Sequence, residues 1–174
     1  MTLCYQARTR FNWGSLARVD LQCSDGSPPL RIEPCSVLHG GRRVQLEGDW
    51  KGGYSWHFVA GDVGFDIVSV RRAEWPQHGL QLIGPGGTLG RCEIDHSNGH
   101  RFFWAGAPLQ LALRRRWRLF YEGMRLCRGQ QLLLESSYPP WRRRSVLDLV
   151  VHEPQEATLP LVAFMALTQI TVGF

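Results

Sequence analysis

The sequence predicts a mainly β protein, a sandwich or a barrel, that ends in one apolar helix. Three observations carry this expectation. Short segments of alternating polar and apolar residues recur along most of the 174 residues. Glycine, proline and asparagine turn signals separate them at short intervals, the spacing of an all-β fold rather than of strands alternating with helices. The last 18 residues, 157–174, then carry no charge. An uncharged segment closing a β-rich chain must be wrapped by the sheet, placed in a membrane or paired with a partner.

Leu16, Arg18, Val19, Asp20 and Leu21 belong to an early strand ending near Cys23, and Ser24-Asp25-Gly26-Ser27-Pro28-Pro29 is a strong turn signal. Further strands are expected at 30–33, 43–47, 54–60 and 64–70. The pairs Gly40-Gly41 and Gly52-Gly53 separate several of them, as hairpin or bulge positions do. Leu80-Gln81-Leu82-Ile83, the turn Gly84-Pro85-Gly86-Gly87 and the segment 89–94 read as a hairpin, and Ser97-Asn98-Gly99 turns the chain into a strand at 100–104. A second unit of similar shape is expected at 117–128, with a turn at Glu122-Gly123. Both units carry a leucine, a small residue and an arginine after the turn (Leu89-Gly90-Arg91 and Leu126-Cys127-Arg128), a weak internal repeat. Strands at 130–136 and 144–152 complete the β part.

The final segment has helix-start chemistry. Glu153 and Glu156 suit the positive end of a helix dipole, Thr158 serves as N-cap, and Pro160 fits the first turn. Leu159, Leu161, Val162, Phe164, Met165, Leu167 and Ile170 then cover every side of a helix spanning 157–172, so it must be surrounded. Enclosure by the sheet is favoured over membrane insertion, because Pro160, Thr168, Gln169, Thr171 and Gly173 interrupt a run already short for a bilayer.

Composition bounds the rest. The chain fits one domain, 1–174, and its seven tryptophans favour a packed core. The net charge of +5 is carried almost wholly by arginine, since Lys51 is the only lysine. Cys4, Cys23, Cys35, Cys92 and Cys127 are odd in number and widely spaced, which supports neither a disulfide framework nor a zinc site. No metal and no cofactor is expected. The N-terminus has no apolar run of signal-peptide length, so the expected location is cytoplasmic, peripheral to the membrane if attached to it.

The two strand–turn–strand units at 80–94 and 117–128, followed by Val146-Leu147-Asp148-Leu149-Val150-Val151, an acidic bridge and Leu159-Pro160-Leu161-Val162-Ala163-Phe164, resemble the tubby-like superfamily, which includes phospholipid scramblases and LURP-one-related proteins. The resemblance covers residue 79 to the end most clearly, and the first 78 residues by strand count. It implies a closed antiparallel barrel of about twelve strands threaded by the apolar helix, and a non-enzymatic domain that attaches to anionic lipid. The acidic calcium-binding stretch and the cysteine-rich acylation motif of scramblases are not found in this sequence. With a helix filling the barrel, an interior ligand site is disfavoured and function is expected on the outside.

Arg114, Arg116 and Arg118 project from one face of an expected strand through 111–121, and Arg142, Arg143 and Arg144 follow Pro139-Pro140-Trp141 on a loop. Aligned guanidinium groups suit phosphates, and crowding them is unfavourable unless anions or carboxylates lie nearby. The plain alternative is a solvated outer face in which these arginines meet acidic neighbours. The leading expectation is a binding or scaffold protein reading anionic phospholipid through these six arginines. One rival is a nucleic-acid-binding barrel that interleaves arginine with Trp104, Trp117 and Tyr121; another is an enzyme with a surface cleft. Histidines are scattered, with His96 and His100 near Asp95 offering at most two or three metal donors. Asp62 and Asp66 make an acid–base pair only if a cleft encloses them, and the glycines at 84–90 precede no helix that would make a phosphate-binding turn.

Overall fold

A computed structural model of the chain describes residues 2–12, 15–35, 50–72, 78–95, 99–116, 120–139 and 145–172. Twelve strands are followed by one helix: β1 (Leu3–Asn12), β2 (Ser15–Cys23), β3 (Leu30–Cys35), β4 (Trp50–Ala60), β5 (Val63–Arg72), β6 (His78–Gly84), β7 (Gly87–Asp95), β8 (Gly99–Trp104), β9 (Ala107–Arg116), β10 (Phe120–Arg128), β11 (Gln131–Ser137), β12 (Val146–Val151) and α1 (Leu159–Val172). Each strand pairs antiparallel with its neighbour in sequence, and β1 pairs with β12 from Leu3↔Val151 to Arg8↔Val146. That last ladder closes the barrel, so neither the first nor the last described strand is left as an outer edge.

Two strands act as corners. Leu30, Arg31 and Ile32 of β3 pair with β2, whereas Glu33, Pro34 and Cys35 pair with β4. Likewise Ala107, Pro108 and Leu109 of β9 pair with β8, and residues 110–116 pair with β10. Each corner strand carries a proline, Pro34 or Pro108, where the ladder changes partner and a missing N–H is tolerated.

Period-2 alternation decides which side chains fill the interior. On β5 and β6, Phe65, Ile67, Leu80 and Leu82 belong to the core, and their alternates point outward. The centre is occupied by α1, in which every residue from Leu161 to Ile170 is buried. Its Phe164 ring meets Phe102 of β8 with centroids 5.3 Å apart. Gly90 of β7 makes room for this seat, since a Cβ there would lie 3.0 Å from Trp104 and 3.1 Å from Phe164. Cys92, beside it, is fully enclosed, and burial pushes its thiol up to about 12. The threonine hydroxyls of the helix turn back on its own backbone: Thr168 Oγ1 donates to the Phe164 carbonyl and Thr171 Oγ1 to that of Leu167, each at 2.8 Å.

The enclosed helix and the all-antiparallel closed barrel agree with expectation. The helix starts at Leu159, two residues later than expected, because residues 153–157 form turns in which Ala157 N–H donates to the Glu153 carbonyl at 2.8 Å. One expected element is corrected. Residues 120–128 form a single strand, and Glu122-Gly123 lies inside it at a register shift, not at a hairpin turn. Gly123 serves a close approach: a Cβ there would lie 2.0 Å from the Ser136 carbonyl oxygen of β11. The second repeat unit therefore dissolves, since Leu126-Cys127-Arg128 ends a strand while Leu89-Gly90-Arg91 begins one. Gly52-Gly53 lies at a register shift within β4, as a bulge pair. The expected strand at 43–47 lies outside the described residues.

Candidate functional site on the outer face

Of the six arginines singled out in the sequence, Arg114 and Arg116 lie on β9, where they pair with Gly123 and Phe120 of β10. Arg118, Arg142, Arg143 and Arg144 lie outside the described residues, as do Trp117 and Trp141.

The described arginines of the outer face show how this barrel treats its cations. Arg125 Nε donates to Glu135 Oε2 across β10 and β11 at 3.1 Å, and His152 Nε2 approaches Glu135 Oε1 at 3.3 Å. Burial alone would raise the Glu135 carboxyl, but the hydrogen bonds and charges of Arg125 and His152 outweigh it and hold the group below its ordinary range. Arg128 reaches Glu156 at 2.7 Å, which ties β10 to the turn before α1. Arg91 lies 3.3 Å from Glu93 and stacks its guanidinium 4.5 Å from the centre of the Phe103 ring. These are cross-strand and same-face pairs of ordinary kind.

One cluster departs from one-to-one pairing. On β1, β2 and β3 the register places Arg8 opposite Asp20, Asp20 opposite Arg31, and Arg10 directly opposite Arg18. Asp20 is the only carboxylate among these five side chains. Arg18 grips it at 3.0 and 3.1 Å, while Arg10 and Arg31 stand at 3.8 and 4.0 Å and are 70% and 64% exposed. Arg8 turns along its strand to donate to Gln6 Oε1 at 3.0 Å. Three guanidinium groups, of Arg10, Arg18 and Arg31, thus share one carboxylate with Arg8 beside them, and Arg10 and Arg31, the more exposed of the three, are the more loosely held. Like charges facing each other across a ladder are destabilising, so the patch favours a bound anion. Sequence reading missed it because its members come from three strands; the spacing of Arg8 with Arg10, and of Arg18 with Asp20, was the only local sign.

A second feature flanks this patch. His57 of β4 faces Asp66 of β5, with Nδ1 2.9 Å from Oδ1, and both side chains are largely buried. His57, scattered in sequence, is therefore oriented by a carboxylate. Asp62, by contrast, sits exposed in the β4–β5 turn, so Asp62 and Asp66 do not form a pair. His57 lines a groove of about 430 Å³ with Pro29, Leu30, Arg31, Glu33, Pro34, Cys35, Phe58 and Val59. Among the described residues no group of three or more His, Cys, Asp or Glu side chains is arranged to hold a metal ion, and all five thiols are free. Among the same residues no helix is long and apolar enough to cross a membrane.

No family model, no curated protein and no solved structure matches this chain.

Proposed function

We propose that the protein is a non-enzymatic binding domain that attaches peripherally to anionic phospholipid headgroups through its outer-face arginines. The observation that carries this reading is the β1–β2–β3 cluster, in which Arg10, Arg18 and Arg31 share Asp20 and Arg8 stands opposite it in the ladder. A filled interior supports it too, since α1 occupies the space where a barrel of this kind would hold a small ligand. A basic side chain near an anionic surface contributes about 1 kcal/mol. Three excess charges would then give weak, salt-sensitive attachment, strengthened if Arg114, Arg116, Arg118 or the Arg142 to Arg144 run reach the same surface. The cytoplasmic leaflet is the matching surface, because it carries the anionic lipids.

Co-sedimentation with vesicles tests the proposal. Vesicles of phosphatidylcholine with about one third phosphatidylserine should pull down the protein at 0.1 M salt, where the screening length is about 10 Å, and release it at 0.5 M. Pure phosphatidylcholine should not bind. Arg8→Glu with Arg10→Glu should reduce binding at least fivefold, and Arg116→Glu reports on the β9 arginines. Equal recovery with both vesicle types, or no effect of the double substitution, would overturn the assignment to this patch. An oligonucleotide that binds salt-sensitively while vesicles do not would select the nucleic-acid reading instead.

A further inference from the structure

The β3–β4 seam is incomplete at one end. Its ladder consists of Glu33↔His57, Pro34↔Trp56 and Cys35↔Ser55. Beyond Glu33 the two strands part. Among the described residues, Leu30, Arg31 and Ile32 pair only with β2, while Phe58, Val59 and Ala60 pair only with β5. Two strand edges therefore face each other across a wedge, each unpaired over three residues, about 10 Å of extended chain. The groove of about 430 Å³ lies on this wedge and is lined from both sides, by Leu30 and Arg31 and by Phe58 and Val59.

Two further observations give the wedge a chemistry. Val59 and Val63, at 50% and 38% exposure, are the exposed large aliphatic side chains among the described residues, and both lie on the hairpin that borders the groove. Glu33, on the groove rim, is exposed and has neither an ion pair nor a side-chain hydrogen bond among the described residues, whereas Arg31 already leans toward Asp20. An exposed aliphatic side chain on an unpaired strand edge is what a sheet protein ordinarily avoids with lysine, proline or a covering segment.

We propose that this seam is a docking site for an extended polypeptide strand of a partner protein, alternating apolar and basic side chains, which completes the sheet between β3 and β4. An extended peptide is the ligand class that presents N–H and C=O groups alternately along both of its edges, at the repeat the two open edges require. Its apolar side chains would face inward onto Leu30, and a basic one, on the outer face, would lay its aliphatic stem on Val59 and meet Glu33. The wedge is closed at the Glu33–His57 end, so it admits a single strand rather than the face of a second barrel. This site shares Arg31 with the arginine patch, but its docking contacts are Leu30, Val59 and Glu33, so its failure would leave the lipid proposal standing.

The test uses a fluorescein-labelled pentapeptide of alternating valine and lysine, read by anisotropy against the full-length protein. Saturable binding is expected, weakened at least tenfold by Val59→Lys and at least threefold by Glu33→Arg. The same peptide with N-methylated backbone amides keeps its side chains but loses its donors, and should also bind at least tenfold more weakly. Hydrogen exchange should show amides 58–60 slowed only when the unmodified peptide is present. Absence of saturable binding, or equal binding by the N-methylated peptide, overturns the proposal. A concentration-dependent dimer in sedimentation velocity that Val59→Lys abolishes would also overturn it, by assigning the seam to a second copy. Should Val59→Lys fail to fold, the N-methylated peptide on the unaltered protein still decides.

Discussion

Gln6 and Gln81 both point outward, on β1 and β6, and their surroundings differ. The Gln6 amide donates to Asp148 of β12 at 3.0 Å and accepts from Arg8. Gln81, placed between Val68 of β5 and Arg91 of β7, is fully buried, and neither amide atom has a hydrogen-bond partner among the described residues. A buried polar group left unmade costs about 1–3 kcal/mol, more than a good hydrogen bond returns. Gln81→Met keeps the length and volume while removing both orphaned atoms. It should raise unfolding stability by about 1 kcal/mol, or roughly 2–4 °C in Tm. Urea denaturation of the two proteins measures this, and a loss of similar size would mean that the amide is satisfied in solution. At this scale the sequence is a poor guide: Gln6 and Gln81 look alike in it. The same holds for the candidate site. Asp20 collects Arg10 and Arg31 from the strands on either side of its own, and only the register reveals that they meet.

Elements were more legible than their contacts, for reasons visible in particular residues. Within β5, β6 and β12, the runs Gly64-Phe65-Asp66-Ile67, Leu80-Gln81-Leu82 and Leu147-Asp148-Leu149 alternate large apolar with polar or small residues, so their period shows directly, and α1 is apolar on every side. β1 was not anticipated because two of its inward positions are Ala7 and Thr9, too small or too polar to mark a core face. Gly123 misled because a glycine that relieves a close approach looks the same in sequence as one that makes a turn. Among the described residues, a polar link joins the helix to the wall around it. Ser136 of β11 donates its hydroxyl to Gln169 Oε1, and Ser136 Oγ in turn accepts the Met124 N–H at 3.3 Å, with all three residues buried. Gln169 Nε2 has no partner among the described residues. Ser136→Ala would orphan the Gln169 carbonyl and the Met124 amide together, and should cost about 1–3 kcal/mol. Adding Gln169→Leu removes the stranded acceptor and the unpaired donor, so the double variant should be more stable than Ser136→Ala alone. Denaturant unfolding of the two single variants and the double one reads this coupling, and strict additivity would show that the link carries no energy.

At the scale of the whole molecule the wall and the plug depend on each other. The closing ladder joins β1 to β12, the first and last strands in the chain, so it demands contacts between residues as distant as Leu3 and Val151. Such contacts repay their loop-closure entropy only when the interior they enclose is dry and filled. The interior of this barrel is filled largely by α1, which follows β12 directly: Leu161, Phe164, Met165 and Leu167 are fully buried, and so are Ile32, Leu82, Leu126 and Leu134 on the surrounding strands. Burying each large aliphatic or aromatic side chain stabilises by about 1.5–3 kcal/mol, and a domain holds only about 5–15 kcal/mol in total. Removing the helix would expose its own side chains and leave the strand side chains lining a void. Ending the chain after Ala157 should therefore abolish cooperative unfolding, flatten the near-ultraviolet circular dichroism and raise binding of a dye specific for exposed apolar surface. Phe164→Ala in the full chain is the milder version, and should cost about 3–5 kcal/mol while keeping the fold. If the truncated chain instead unfolded cooperatively with a native near-ultraviolet signal, the strands would be closing on their own, and the helix would be a passenger in the barrel instead of its core.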